Sequence, residues 1–143
     1  MRISDVLSTK GDQVVTIQPD AGVDQLVALL ATHNLGAVVV STDGRTIDGI
    51  VSERDVVRGL ARTPDVLGLR VCDLMTAALH TCTVSDTIET VMGTMTERRV
   101  RHVPVVVAGK LGGIVSIGDV VKGTIRELQF ERDQLEDYVR SGG

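Results

Sequence analysis

The sequence predicts an α/β (α+β) chain: one β-α-β-β-α unit written twice, packed as a pseudo-twofold pair, with an extended C-terminal helix. Three observations carry this. First, Gly49-Ile50-Val51-Ser52-Glu53-Arg54-Asp55 returns as Gly113-Ile114-Val115-Ser116-Ile117-Gly118-Asp119, and Val56-Val57-Arg58 returns as Val120-Val121-Lys122. The offset, 113 − 49 = 64 positions, marks an internal repeat. Second, each copy carries the same succession of short apolar strands and amphipathic helices. Third, a unit this small cannot cover both faces of its own sheet, whereas two units back to back can.

The elements follow in order. Ile3 to Leu7 reads as a short helical lead-in, and Val71-Cys72-Asp73-Leu74-Met75 is a similar piece before the second half. Val14 to Ile17 is a short strand closed by Pro19-Asp20. Val23, Leu26, Val27, Leu29 and Leu30 form a helix face that ends near Asn34-Leu35-Gly36, where Asn or Gly can take a left-handed turn. Ala37 to Val40 is a β-branched run suited to a strand covered on both sides. Asp43-Gly44 turns the chain into a strand over Ile47 to Val51, and Ser52 opens a helix to about Ala61. Thr63-Pro64-Asp65 and Gly68 mark a linker. The second half repeats the order: a strand over Thr81 to Val84, a helix capped by Ser85, strands over Val103 to Val107 and Leu111 to Val115 around Ala108-Gly109, and a helix opened by Ser116. The expected division is residues 1–62, first repeat; 63–70, linker; 71–123, second repeat; 124–143, helical extension. In that extension Val121, Ile125, Leu128, Arg132, Leu135 and Val139 recur at alternating steps of four and three, a heptad-like stripe broken only by Arg132. Such a stripe either lies on its own domain or pairs with another copy, and the second option predicts a homodimer.

Composition narrows the function classes. The formal net charge of −4 argues against nucleic acid and against an anionic membrane surface as partners. Phe130 and Tyr138 are the only aromatic residues, so stacking of successive bases is not expected and a planar ligand must lie against aliphatic walls. The N-terminus lacks a signal pattern, and no apolar run approaches the ~20 residues that cross a bilayer. Cys72 and Cys82 are too few for a disulfide framework and read as small buried hydrophobes in a reduced, cytoplasmic protein. His33 and His80 stand alone and read as surface residues.

The repeated stretch has two readings. Ser52 with Asp55, and Ser116 with Asp119, are capping boxes wherever they precede an apolar run. They also suit a nucleotide seat. A helix N-terminus offers N–H groups to a phosphate, the Ser hydroxyl can donate to it, and an Asp one turn in can accept ribose hydroxyls. Arg54, Arg58 and Lys122 can balance phosphate charge, and Gly49 and Gly113 leave room for a base edge.

With Gly-x-x-Ser-x-x-Asp present twice, and Arg99-Val100-Arg101-His102-Val103-Pro104-Val105 before the second turn, the chain resembles the CBS-domain family of tandem repeats, also called Bateman modules. The resemblance implies a stand-alone regulatory pair. Such a pair binds an adenosine-containing ligand (AMP, ADP, ATP, NAD or S-adenosylmethionine) between its repeats and requires no cofactor. It implies ribose contacts for Asp55 and Asp119 and phosphate contacts for Ser52 and Ser116. The ligand-binding set on this reading is Gly49, Ser52, Arg54, Asp55, Thr81, Arg101, His102, Pro104, Gly113, Ser116, Asp119 and Lys122. The first half lacks counterparts of Arg101, His102 and Pro104, so unequal clefts are expected. Three functions remain in view: a ligand sensor without chemistry of its own that acts on a separate protein target or on its own assembly, a scaffold with empty clefts, and a small hydrolase using Asp55 or Asp119. The last finds little support, because no P-loop, Ser-His-Asp set or metal motif accompanies those acids.

Overall fold

A computed structural model describes residues 1–11, 13–77 and 79–142; position 143, the end of the expected extension, lies outside the described residues. The chain runs α1 (Ile3–Lys10), β1 (Thr16–Ile17), α2 (Val23–His33), β2 (Ala37–Val40), β3 (Gly49–Ser52), α3 (Glu53–Arg62), a 3-10 turn (Val66–Gly68), α4 (Val71–Leu74), α5 (Ile88–Arg98), β4 (His102–Val107), β5 (Lys110–Ser116) and α6 (Ile117–Arg140). In the first sheet β1 is parallel to β2 and β2 is antiparallel to β3, with Val38 opposite Val51. In the second, β4 and β5 are antiparallel, with His102 opposite Ser116. Ala108 and Gly109 join them at φ 50° and 77°, the left-handed pair that a tight hairpin needs.

Three sequence expectations need correction. The strand expected over Thr81 to Val84 shrinks to a single parallel bridge between Cys82 and Val105. Past Cys82 the chain turns at once: the Thr83 N–H donates to the Asp86 carboxylate at 2.9 Å, and Val84 gives its carbonyl to Ser4 at 3.0 Å. The cap of α5 is Thr87, not Ser85; Thr87 Oγ1 accepts from the Thr90 N–H at 3.2 Å. Cys72 is exposed, because α4 is only four residues long and buries Val71 instead. Cys82 is buried, and burial pushes its thiol up to about 12. Asn34 ends α2 at φ 52° in the left-handed conformation, and Arg99 ends α5 in the same way at φ 55°.

The two cores are built across the repeats. Ile3, Val6 and Leu7 of α1 pack with Cys82, Ile88, Val91, Met95, Val103, Val105, Val115 and Val120, all from the second half. Val71 of α4 packs with Ile17, Leu26, Leu30, Val38, Val40 and Val51 of the first. Backbone hydrogen bonds follow the same exchange. Ile3 N–H donates to Asp86 at 2.9 Å and Ile88 N–H to Met1 at 3.2 Å, while Val71 N–H donates to Ala21 at 2.8 Å and Val23 N–H to Leu69 at 2.9 Å. Each lead-in helix therefore closes the opposite half, which ties the halves at a fixed angle and defines the space between them.

Candidate functional site

The site grows from the two helix openings. Ser52 and Ser116 stand in extended conformation at the end of β3 and β5 and cap α3 and α6. Ser52 Oγ accepts from the Asp55 N–H at 3.2 Å, and Asp55 Oδ2 accepts from the Ser52 N–H at 2.8 Å. Ser116 and Asp119 repeat this at 3.2 and 2.8 Å. The capping reading thus describes both openings. It leaves chemistry to spare: all hydrogen bonds to either carboxylate among the described residues end on Oδ2, so Oδ1 is free to accept from a diol.

The amide supply is smaller than the sequence suggested. Glu53 N–H is spent on the Gly36 carbonyl at 2.9 Å and Ile117 N–H on the Arg101 carbonyl at 2.8 Å, while the Asp55 and Asp119 N–H groups go to the Ser hydroxyls. In the first turns Arg54 and Gly118 N–H are the amides not spent on these four contacts. At Gly118 the space beside the backbone is open, with only Ser116 Oγ 3.6 Å from where a Cβ would stand.

Two hollows lie where the halves meet. The larger, about 260 Å³, is lined by Arg54 from the first half and Met95, Thr96, Arg99, Val100, Arg101 and Ile117 from the second. The smaller, about 70 Å³, is lined by Ile50, Thr76, Leu79, His80, Val100, His102 and Pro104. The first has three guanidinium groups at the opening of α6; the second has aliphatic walls and two imidazoles. His102 crosses the boundary, since its Cε1 would lie 3.4 Å from a Cβ on Gly36. Burial pushes His102 below the ordinary imidazole range; Lys10 and Arg101 push the same way, against Asp119 and Glu53.

Asp119 differs from Asp55 in one partner. Lys10, at the end of α1, donates to Asp119 Oδ2 at 2.6 Å and to the Ile114 carbonyl at 2.7 Å. Burial pushes Asp119 up, but the bonds from Lys10 and Ser116 outweigh it and hold the carboxyl below its usual range. Among the described residues Asp55 has only Ser52 as its hydrogen-bond partner, so the two openings are unequal in charge.

Of the residues expected from sequence, the structure brings Arg54 and Arg101 to the larger hollow and His102 and Pro104 to the smaller. Ser52, Asp55, Ser116 and Asp119 stand at the openings of α3 and α6 and line neither hollow. Thr81 and Lys122 are exposed and line neither. The space beside Gly49 and Gly113 is not open for a base edge. A Cβ on Gly49 would meet the Thr76 carbonyl at 2.9 Å, and one on Gly113 would meet Leu7 Cδ2 at 2.9 Å. Those glycines admit the lead-in segments instead. Sequence reasoning missed Lys10, Arg99, Thr76, Leu79 and His80. Arg99 sits two positions from Arg101 and was legible as a neighbour; Lys10 was not, because its partner lies 109 positions away. His33 and His80 are both exposed, yet His80 also borders the smaller hollow. Among the described residues no three His, Cys, Asp or Glu side chains are grouped to hold a metal, and no helix is long and apolar enough to cross a membrane.

A pseudo-twofold β-α-β-β-α pair with hollows between its halves and a Ser/Asp helix opening in each defines a tandem-repeat class of protein. The family model for the CBS domain matches residues 3–62 and 71–125, and the chain belongs to the CBS-domain family as a domain pair. It is 34% identical over 149 aligned positions to the mitochondrial CBS domain-containing protein CBSX3 of Arabidopsis thaliana, covering 98% of this chain and 72% of that one. Two archaeal relatives are spanned over only 39% and 34% of their length. The crystal structure of the CBS-domain containing protein ATU1752 from Agrobacterium tumefaciens superposes with a TM-score of 0.81 at 41% identity, covering 85% of this chain and 91% of that one. CBSX2, whose structure is a complex with AMP, superposes with a TM-score of 0.73 at 26% identity, covering 87% and 96%.

Proposed function

We propose that this CBS-domain pair is a regulatory sensor of an adenosine-containing ligand, bound between the repeats, with no chemistry of its own. The observation that carries the reading is the larger hollow, where Arg54, Arg99 and Arg101 share the lining with Ile117, the first residue of α6, two positions before Asp119. Guanidinium groups suit phosphate oxygens, the free Oδ1 of Asp119 suits a ribose diol, and Ile50, Val100 and Pro104 of the smaller hollow suit a purine face. The AMP complex of CBSX2 supports the same ligand class. AMP, ATP, NAD and S-adenosylmethionine are the candidates. Asp119, Ser116, Arg101, His102 and Pro104 form the principal site; Asp55, Ser52 and Arg54 contribute the second opening. Thr81 and Lys122 fall outside this arrangement, and Gly49 and Gly113 support it through packing. A cytoplasmic location and a separate protein target belong to the same proposal.

Binding biases an equilibrium only through unequal affinity for two states. Here the first state holds Lys10 on Asp119, and a ligand that engages Asp119 changes that contact and loads α1, which is part of the second core. Calorimetric titration of ligand-free protein with the four compounds is expected to show at least one binder. Asp119→Ala should weaken it by about 1–3 kcal/mol, the usual loss for hydrogen bonds to a charged group. Absence of heat with all four compounds overturns the sensor reading. It then leaves the scaffold reading, which the exposed apolar residues of α6 favour.

A further inference from the structure

We propose that a second copy of this chain covers the outer stripe of α6, the two helices running antiparallel. The 24 residues of α6 extend about 36 Å, well past the fold. One face is used at home: Val120 and Gly123 are buried, and a Cβ on Gly123 would lie 3.4 Å from Ile88 Cδ1. The neighbouring stripe has no cover. Val121, Ile125, Leu128, Leu135 and Val139 are 48%, 49%, 60%, 66% and 71% exposed.

The pattern itself selects the occupant. Read from opposite ends, the stripe matches itself: Val121 meets Val139 of the second copy, Ile125 meets Leu135, and Leu128 meets Arg132. A self-complementary strip of this kind suits a twofold interface. The flanking charges select the direction. Antiparallel pairing sets Lys122 beside Glu136 of the second copy, twice by symmetry. It also lays the Arg132 stem over Leu128 and brings its guanidinium to Glu131 of the other chain, where two Glu131 side chains would otherwise face each other. Parallel pairing stacks Arg132 on Arg132 and sets Glu131 beside Glu136, like against like. The break in the stripe is therefore an orientation device. Arg132 can serve, since among the described residues its ion pair is an exposed contact to adjacent Asp133 at 3.3 Å.

The test is sedimentation of the full chain, with unchanged melting temperature as the check on folding. Leu128→Asp with Leu135→Asp is expected to halve the mass of the assembly. Lys122→Glu alone should weaken association about tenfold, as two attractions become two repulsions. Adding Glu136→Lys should restore it, because the reversed charges meet again only between antiparallel copies; within one helix they stand 14 positions apart. A full chain that runs as a monomer, a mass indifferent to the two aspartates, or a charge reversal without rescue each overturns the proposal.

Discussion

At the scale of single residues, His102 and Asp119 make stability depend on pH in the same direction by different routes. His102 is held below its unfolded value of about 6.5 by burial. The unfolded chain then binds a proton first as pH falls, so stability is fully present above about 6.5 and declines below it, until the folded imidazole also protonates. Asp119 is held below its unfolded value of about 3.9 by Lys10 and Ser116. Its contribution is present above that value and is lost as pH falls through the lower folded one. Thermal melts across pH should therefore show two steps of decline. His102→Gln should remove the upper step and leave the lower, and an unchanged profile would refute the assignment. Neither residue's environment is visible in its local sequence. His102 reads there as a strand residue before a turn, while its shift comes from burial, with Lys10 of α1 and Arg101 pushing the same way.

At the scale of elements, the helix openings were legible because a capping box is a local device. Ser, a residue in extended conformation, and Asp three positions on form the same bonds wherever they occur. The error at α5 follows from the same locality. Ser85-Asp86-Thr87 holds several residues able to cap, and sequence cannot rank them. The choice falls to Thr87 because Asp86 is already used in the turn with Thr83 at 2.9 Å. Thr87→Ala should lower stability by about 1 kcal/mol in denaturant unfolding, the usual cost of a lost cap, and Ser85→Ala by much less. Equal losses would return Ser85 to the capping role. The strand over Thr81 to Val84 failed for a related reason. Its β-branched residues suit a strand, but hydrogen-bond partners, not propensity, decide its length, and Val84 gives its carbonyl to the opposite lead-in.

At the scale of the whole molecule, the exchange of α1 and α4 is the feature that makes two repeats one body. It gives a prediction that runs against chain order. Ile3 is fully buried, and Ile3→Ala should cost about 2–5 kcal/mol. Hydrogen exchange should show the lost protection in α5, β4 and β5, more than 80 positions away, rather than in β1 and α2 beside it. Loss confined to the first half would contradict the exchange. The hollows depend on this arrangement, since each is lined from both halves and exists only while the lead-ins hold them together.

The sequence alone determined the duplication, the order of strands and helices, the Ser/Asp openings of α3 and α6, and the stripe of α6. All of these arise from periodicity and from contacts within a few positions, and such contacts recur wherever their residues recur. The tertiary structure decided which half each lead-in helix closes, that Lys10 meets Asp119, that Gly49 and Gly113 serve packing, and where the arginines gather. Those outcomes depend on pairs of groups that a flexible chain brings together only once both cores are filled, and spacing along the chain carries no record of them.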